Sequence, residues 1–120
     1  MKRVSTIIPK IVLSQCFSKP VRYDGGRVWD DFVERLKNYV CVLEVCPEVG
    51  MGLGIPRERL IVMQRGENRI LFQPDTGRDF TEAIKMFSQE FVEKLPEVDG
   101  FILKAKSPSC GVGTTKLYKE

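Results

Sequence analysis

Three of the four cysteines, Cys16, Cys46 and Cys110, stand where an apolar run of strand-forming residues gives out. Their contexts are Leu13-Ser14-Gln15-Cys16, Glu44-Val45-Cys46-Pro47-Glu48 and Ser107-Pro108-Ser109-Cys110-Gly111. Strands that lie side by side and parallel bring their carboxyl ends to one edge, and that edge is where open α/β sheets bind ligands. The repeated placement therefore predicts a parallel sheet whose exits deliver three thiols to one shared site.

What the chain lacks narrows the chemistry. It has no histidine, which removes the usual general base, the Ser-His and Cys-His nucleophile pairs, and the commonest nitrogen ligand for zinc. Thiols, carboxylates and hydroxyls must carry any reaction. At 120 residues with 42% hydrophobic content, a single domain spanning residues 1–120 with its own core is expected. No apolar run reaches the roughly 20 residues of a membrane span, and Met1-Lys2-Arg3 does not open a signal peptide. A cytoplasmic location is expected, where the cysteines stay reduced and a metal or catalytic role outranks a disulfide framework.

The cysteine spacing matches neither paired zinc knuckles nor the compact runs of ferredoxins, so the fold must assemble the site. The formal charge of +3, from 19 basic and 16 acidic residues, has no block of like charges. A nucleic-acid partner is not expected on that basis.

Along the chain, Ile7 to Ser14 reads as a first strand with Pro9 at its beginning or on an edge. Val28, Trp29, Phe32, Val33, Leu36 and Val40 recur at three- and four-residue intervals, which predicts a helix over Arg27 to Tyr39. Val40 to Val45 reads as a second, mostly buried strand, with Cys41 inside it as a small core residue. Leu60 to Gln64 and Arg69 to Gln73 flank Arg65-Gly66-Glu67-Asn68 and predict a hairpin. A helix from about Phe80 to Leu95, with Asp79 as N-cap and Pro96 as its stop, precedes a last buried strand over Val98 to Ala105. The order implies a layered α/β sandwich with a mainly parallel, Rossmann-like sheet plus a short hairpin.

Three convergent thiolates without histidine favour a soft-metal or iron–sulfur site, and a cluster held by three protein ligands leaves one iron open to an exogenous atom. Glu48, two residues after Cys46, is the candidate acid or base; Ser107 and Ser109 are candidates for a hydrogen bond or proton relay. Arg22-Tyr23-Asp24-Gly25-Gly26 reads equally as a plain turn or as a segment whose Arg22 and Asp24 face the sheet edge beside Cys16. The glycines at 50, 52 and 54 lack nucleotide-loop spacing and read as a flexible rim.

Ser-x-Cys after a strand, Arg-Tyr-Asp-Gly-Gly, Cys46-Pro47-Glu48-Val49 and Leu103-Lys104-Ala105-Lys106-Ser107-Pro108-Ser109-Cys110-Gly111 resemble, in order and over nearly the whole chain, the bacterial domain-of-unknown-function family 523 (DUF523), whose characterised members are thiouracil desulfurases. The resemblance implies an oxygen-sensitive 4Fe-4S cluster on Cys16, Cys46 and Cys110, whose free iron accepts the sulfur of a thiolated base as water replaces it. It implies that Glu48, Ser107 and Ser109 serve catalysis, and that Asp24, with Arg22 beside it, shapes the pocket for a small thiolated base.

Two features depart from the family pattern. Phe17-Ser18-Lys19 replaces the common Leu-Leu-Gly, and Val21 stands where many relatives carry another cysteine. The ending ten residues after Cys110 looks like the branch in which this domain precedes a second one. Besides the desulfurase, a cluster-bearing or sulfur-carrying module acting with a protein partner, and a structural zinc domain with Cys41 or Glu48 as fourth ligand, follow as alternatives.

Overall fold

The computed structural model describes residues 8–120; the expected start of the first strand at Ile7 lies outside them. Strand β1 (Lys10–Ser14) begins directly after Pro9, which has no N–H to give to a ladder. It lies between two parallel neighbours, β2 (Cys41–Val45) and β6 (Gly100–Ile102), in the order β2-β1-β6. Register pairs Ser14 with Val45 and Leu13 with Ile102, so all three strands finish at the same edge. Strand β6 is much shorter than the expected Val98 to Ala105, because after Ile102 the chain leaves the ladder.

Between β1 and β2 runs α1 (Asp31–Leu36), six residues where thirteen were expected. Asp30 adopts extended backbone and its Oδ2 accepts from Val33 N at 3.0 Å, which fixes the helix start four residues late. Val28 and Trp29 therefore lie ahead of the helix. Val33 packs with Leu13 and Phe17, joined by Val28, Val42 and Ile102, but Trp29 and Phe32 are 65% and 62% exposed. The apolar stripe is thus only half buried. Cys41, expected in the core, is exposed at the outer strand's first residue.

The hairpin forms as expected, from β3 (Ile61–Arg65) and β4 (Asn68–Gln73), with Gly66 at φ 61° in the tight turn. It belongs to a second sheet, ordered β5-β4-β3-β7, in which β5 (Arg78–Asp79) is antiparallel to β4 and β7 (Leu117–Lys119) is parallel to β3. The chain is therefore mixed α/β with one parallel three-stranded sheet and one mixed four-stranded sheet.

Short α2 (Pro47–Gly50) follows β2, and its Pro47 at the first turn suits a helix start. The long α3 (Thr81–Lys94) starts two residues past Asp79, whose Oδ1 accepts from Thr81 N at 2.7 Å; Phe80 occupies the N-cap position instead. No residue within α3 is fully buried. Its apolar face meets the second sheet through Ala83 and Ile84, beside Leu60, Leu71 and Phe80, and Phe87 sits on Gly50, where a side chain would have no room. No helix among the described residues is long and apolar enough to cross a membrane.

Leu13, 2% exposed between α1 and the parallel sheet, is the position on which that layer closes. Leu13→Ala is expected to lower unfolding free energy by about 2–5 kcal/mol. Val92→Ala, at a site 63% exposed, should change it by less than about 0.5 kcal/mol. Urea midpoints of the two variants check this contrast.

Candidate metal centre

The parallel edge delivers the thiols. Cys16 lies in a 3-10 turn, Gln15–Phe17, immediately after β1. Cys46 is the residue after β2, and Cys110 follows β6 after a loop. Two devices fix these exits. Phe17 O accepts from Arg27 Nη2 at 2.7 Å and from Lys37 Nζ at 2.9 Å, while Cys16 O accepts from Val28 N at 2.7 Å, so the turn's carbonyls are tied to the chain at both ends of α1. Ser14 Oγ accepts from Lys104 N at 2.8 Å, which binds the exit of β6 to that of β1.

The loop to Cys110 is held from within. Ser107 O accepts from Gly111 N at 2.9 Å and from Thr115 Oγ1 at 2.6 Å; Ser107 Oγ accepts from Cys110 N at 3.1 Å and Ser109 N at 3.3 Å. A side chain on Gly111 would run into Ser107 O and Thr115, so glycine is required there by space. Lys106 takes φ 63°, left-handed backbone that is costly for a lysine, and its N–H is met by Thr114 Oγ1 at 2.9 Å.

All three thiols line one cavity of about 310 Å³, bounded by this edge and by β3 and β7 of the second sheet. Glu48 is in its wall and is buried. Ser109 Oγ donates to Glu48 Oε2 at 2.9 Å, and Ser107 Oγ stands 3.4 Å from Ser109 Oγ. Arg57 Nε donates to Glu48 Oε1 at 2.9 Å, in an ion pair whose side chains are 6% and 9% exposed. The carboxylate therefore has a partner on each oxygen.

Burial is the largest influence on Cys16 and pushes its thiol up; Cys110 and Cys46 add to that by like-charge repulsion, while Lys104 and Arg22 oppose it. Burial likewise raises Cys110, against hydrogen bonding from Ser14, Ser109 and Ser107. Cys16 and Cys110 thus each feel the neighbouring sulfurs across the cavity, and nearby positive charge favours their thiolates.

Among the described residues no three His, Cys, Asp or Glu side chains close on a single metal ion. A tetrahedral zinc, with Zn–S near 2.3 Å, needs sulfurs only about 3.8 Å apart. Cys41 cannot complete such a set, because it begins the strand that Cys46 follows, roughly 16 Å away at about 3.3 Å per residue. Three soft ligands on the wall of one cavity fit an iron–sulfur group.

Of the residues expected from sequence, Cys16, Cys46, Cys110, Glu48, Ser107, Ser109 and Arg22 line this cavity. Asp24 does not: it is exposed, and its Oδ1 accepts from Gly26 N at 2.8 Å, the plain-turn geometry of the Asp-Gly-Gly sequence. Sequence reasoning missed Arg57, which a buried carboxylate's need for a counter-charge would have prompted one to seek. It also missed Arg59, Lys104, Lys106, Lys116 and Tyr118 on the cavity wall. Arg59 and Lys116 both lie against the Tyr118 ring, at 5.9 and 4.6 Å from its centroid.

Among solved structures, a 4Fe-4S-dependent thiouracil desulfidase, TudS (DUF523Vcz), shares the fold with a TM-score of 0.64 at 24% identity, over 93% of this chain and 91% of that one. No curated protein matches the chain. The 2-thiouracil desulfurase family matches residues 11–120. A match over that span places the chain in the 2-thiouracil desulfurase family, the family also known as DUF523.

Proposed function

We propose that this single-domain chain is an iron–sulfur-dependent desulfurase that hydrolyses a thiolated pyrimidine or a related thiocarbonyl compound. The observation that carries the reading is the meeting of Cys16, Cys46 and Cys110 around one cavity with a buried, hydrogen-bonded Glu48 in its wall. The β2-β1-β6 sheet acts here as the parallel core of a Rossmann-like layered fold, with ligands at its carboxyl edge. Cys16, Cys46 and Cys110 are assigned as ligands of a 4Fe-4S cluster. When bound, that cluster supplies an iron without a protein ligand, a Lewis acid for a thiocarbonyl sulfur.

The overall change replaces C=S by C=O: water gives its oxygen to carbon and its two protons to the departing sulfide, without net oxidation or reduction. Glu48 is assigned to take a proton from water and return it to sulfur, through the Ser109 hydroxyl that already donates to it. Ser107 extends this chain by one hydroxyl. Arg22, beside Cys16 on the wall, contacts the substrate.

The cavity wall carries Arg22, Arg59, Lys104, Lys106 and Lys116 in addition to the paired Arg57, against Glu48 as its carboxylate. Part of this positive charge offsets the three thiolates. The excess favours an anionic thiolated substrate over a neutral one.

Anaerobically reconstituted protein should release uracil and sulfide from thiouracil. Cys16→Ser is expected to lose the cluster absorbance and turnover together. Glu48→Gln should keep the iron and lose at least about 100-fold in kcat. Full iron and full turnover in Cys16→Ser contradict the ligand assignment. Raising salt from 50 to 500 mM should raise KM for a phosphorylated thiopyrimidine several-fold, while KM for thiouracil stays within about twofold; equal responses contradict the charge reading.

A further inference from the structure

We propose that Arg57 is a positioning residue of this site, holding Glu48 so that the carboxylate offers one defined oxygen to Ser109. The proposal rests on the desulfurase reading above. Arg57 is itself fixed at several points. Its main-chain N donates to Tyr23 O at 2.8 Å, its Nη1 to Gly54 O at 3.2 Å and its Nε to Glu48 Oε1 at 2.9 Å. Glu48 O accepts from Leu53 N at 3.1 Å, so the Gly-rich segment between the two residues is closed against both. The remaining carboxylate oxygen accepts from Ser109 Oγ, Ser109 Oγ faces Ser107 Oγ, and Ser107 Oγ accepts from Cys110 N. Arg57 is thus the anchor of a continuous polar chain that ends on the backbone of a proposed cluster ligand.

A carboxylate held on one oxygen only would swing about its terminal bond, and misplacement of a reacting group by about 1 Å costs roughly 100-fold in rate. A planar guanidinium with a fixed Nε–H defines that orientation in a way a lysine ammonium does not. Stability alone explains the pair poorly, since buried ion pairs are often replaceable by apolar side chains without loss.

The test compares wild type, Arg57→Met, Arg57→Lys, Glu48→Gln and the Glu48→Gln/Arg57→Met double variant, all reconstituted anaerobically. Iron content and the affinity for thiouracil, read from the change it causes in the cluster's visible absorbance, should stay within about threefold in every protein. Arg57→Met is expected to lose about 100-fold in kcat, with Arg57→Lys in between. Adding Arg57→Met to Glu48→Gln should change kcat by less than about twofold, because both act through one carboxylate.

An Arg57→Met kcat within twofold of wild type overturns the proposal. So does an equal loss from Arg57→Met in both backgrounds, the pattern of independent structural damage. If Arg57→Met fails to fold, Arg57→Lys decides: a kcat within twofold of wild type overturns the proposal, and a tenfold loss with unchanged affinity supports it. A wild-type protein with full cluster that leaves thiouracil intact overturns the desulfurase reading and, with it, this role for Arg57.

Discussion

The parallel pairing of β1 with β2 on one side and β6 on the other is the constraint from which the site follows. Register aligns Ser14 with Val45 and Leu13 with Ile102, so three chain exits share one edge. Side chains beyond the exits need no long-range search to meet. The Lys104 N–H bond to Ser14 Oγ adds a link across two exits, and the ties from Arg27, Lys37 and Val28 lock the turn that carries Cys16. Loops positioned by a rigid scaffold are the usual seat of chemistry, and here each proposed ligand sits on one.

Within that frame the electrostatics are dominated by desolvation. Burial raises two of the three thiols, and their mutual repulsion adds to it. Glu48 faces the same difficulty and is given a guanidinium on one side and a hydroxyl on the other. Glu48 is thus matched on both oxygens, while the thiols share a wall with Arg22 and Lys104.

Much of this was legible in the sequence because it lay in local order. The strand exits at Cys16 and Cys46 and the hairpin around Gly66 followed from β-type runs ended by turn residues, whereas β6 stops at Ile102 and reaches Cys110 only through a loop. The extent of α3 was legible to within a residue at each end, whereas that of α1 was not. The spacing from Val28 to Val40 fits a long amphipathic helix, yet Asp30 starts it late and leaves Trp29 and Phe32 exposed. Periodicity describes which residues share a face only where the backbone is helical. Long-range partners were hidden for a different reason. The parallel alignment of β7 with β3 and the approach of Arg57 to Glu48 depend on tertiary placement, which no spacing encodes. Cys41 was misread because a strand's position in its sheet, edge or centre, is not a property of its own residues.

The role proposed for Cys16, Cys46 and Cys110 is to hold a four-iron cluster. Iron and acid-labile sulfide, counted on protein reconstituted under anaerobic conditions together with its visible spectrum, test it most directly. A brown protein with about four iron and four sulfide per chain is expected. A colourless protein that takes up one zinc and no sulfide would contradict it.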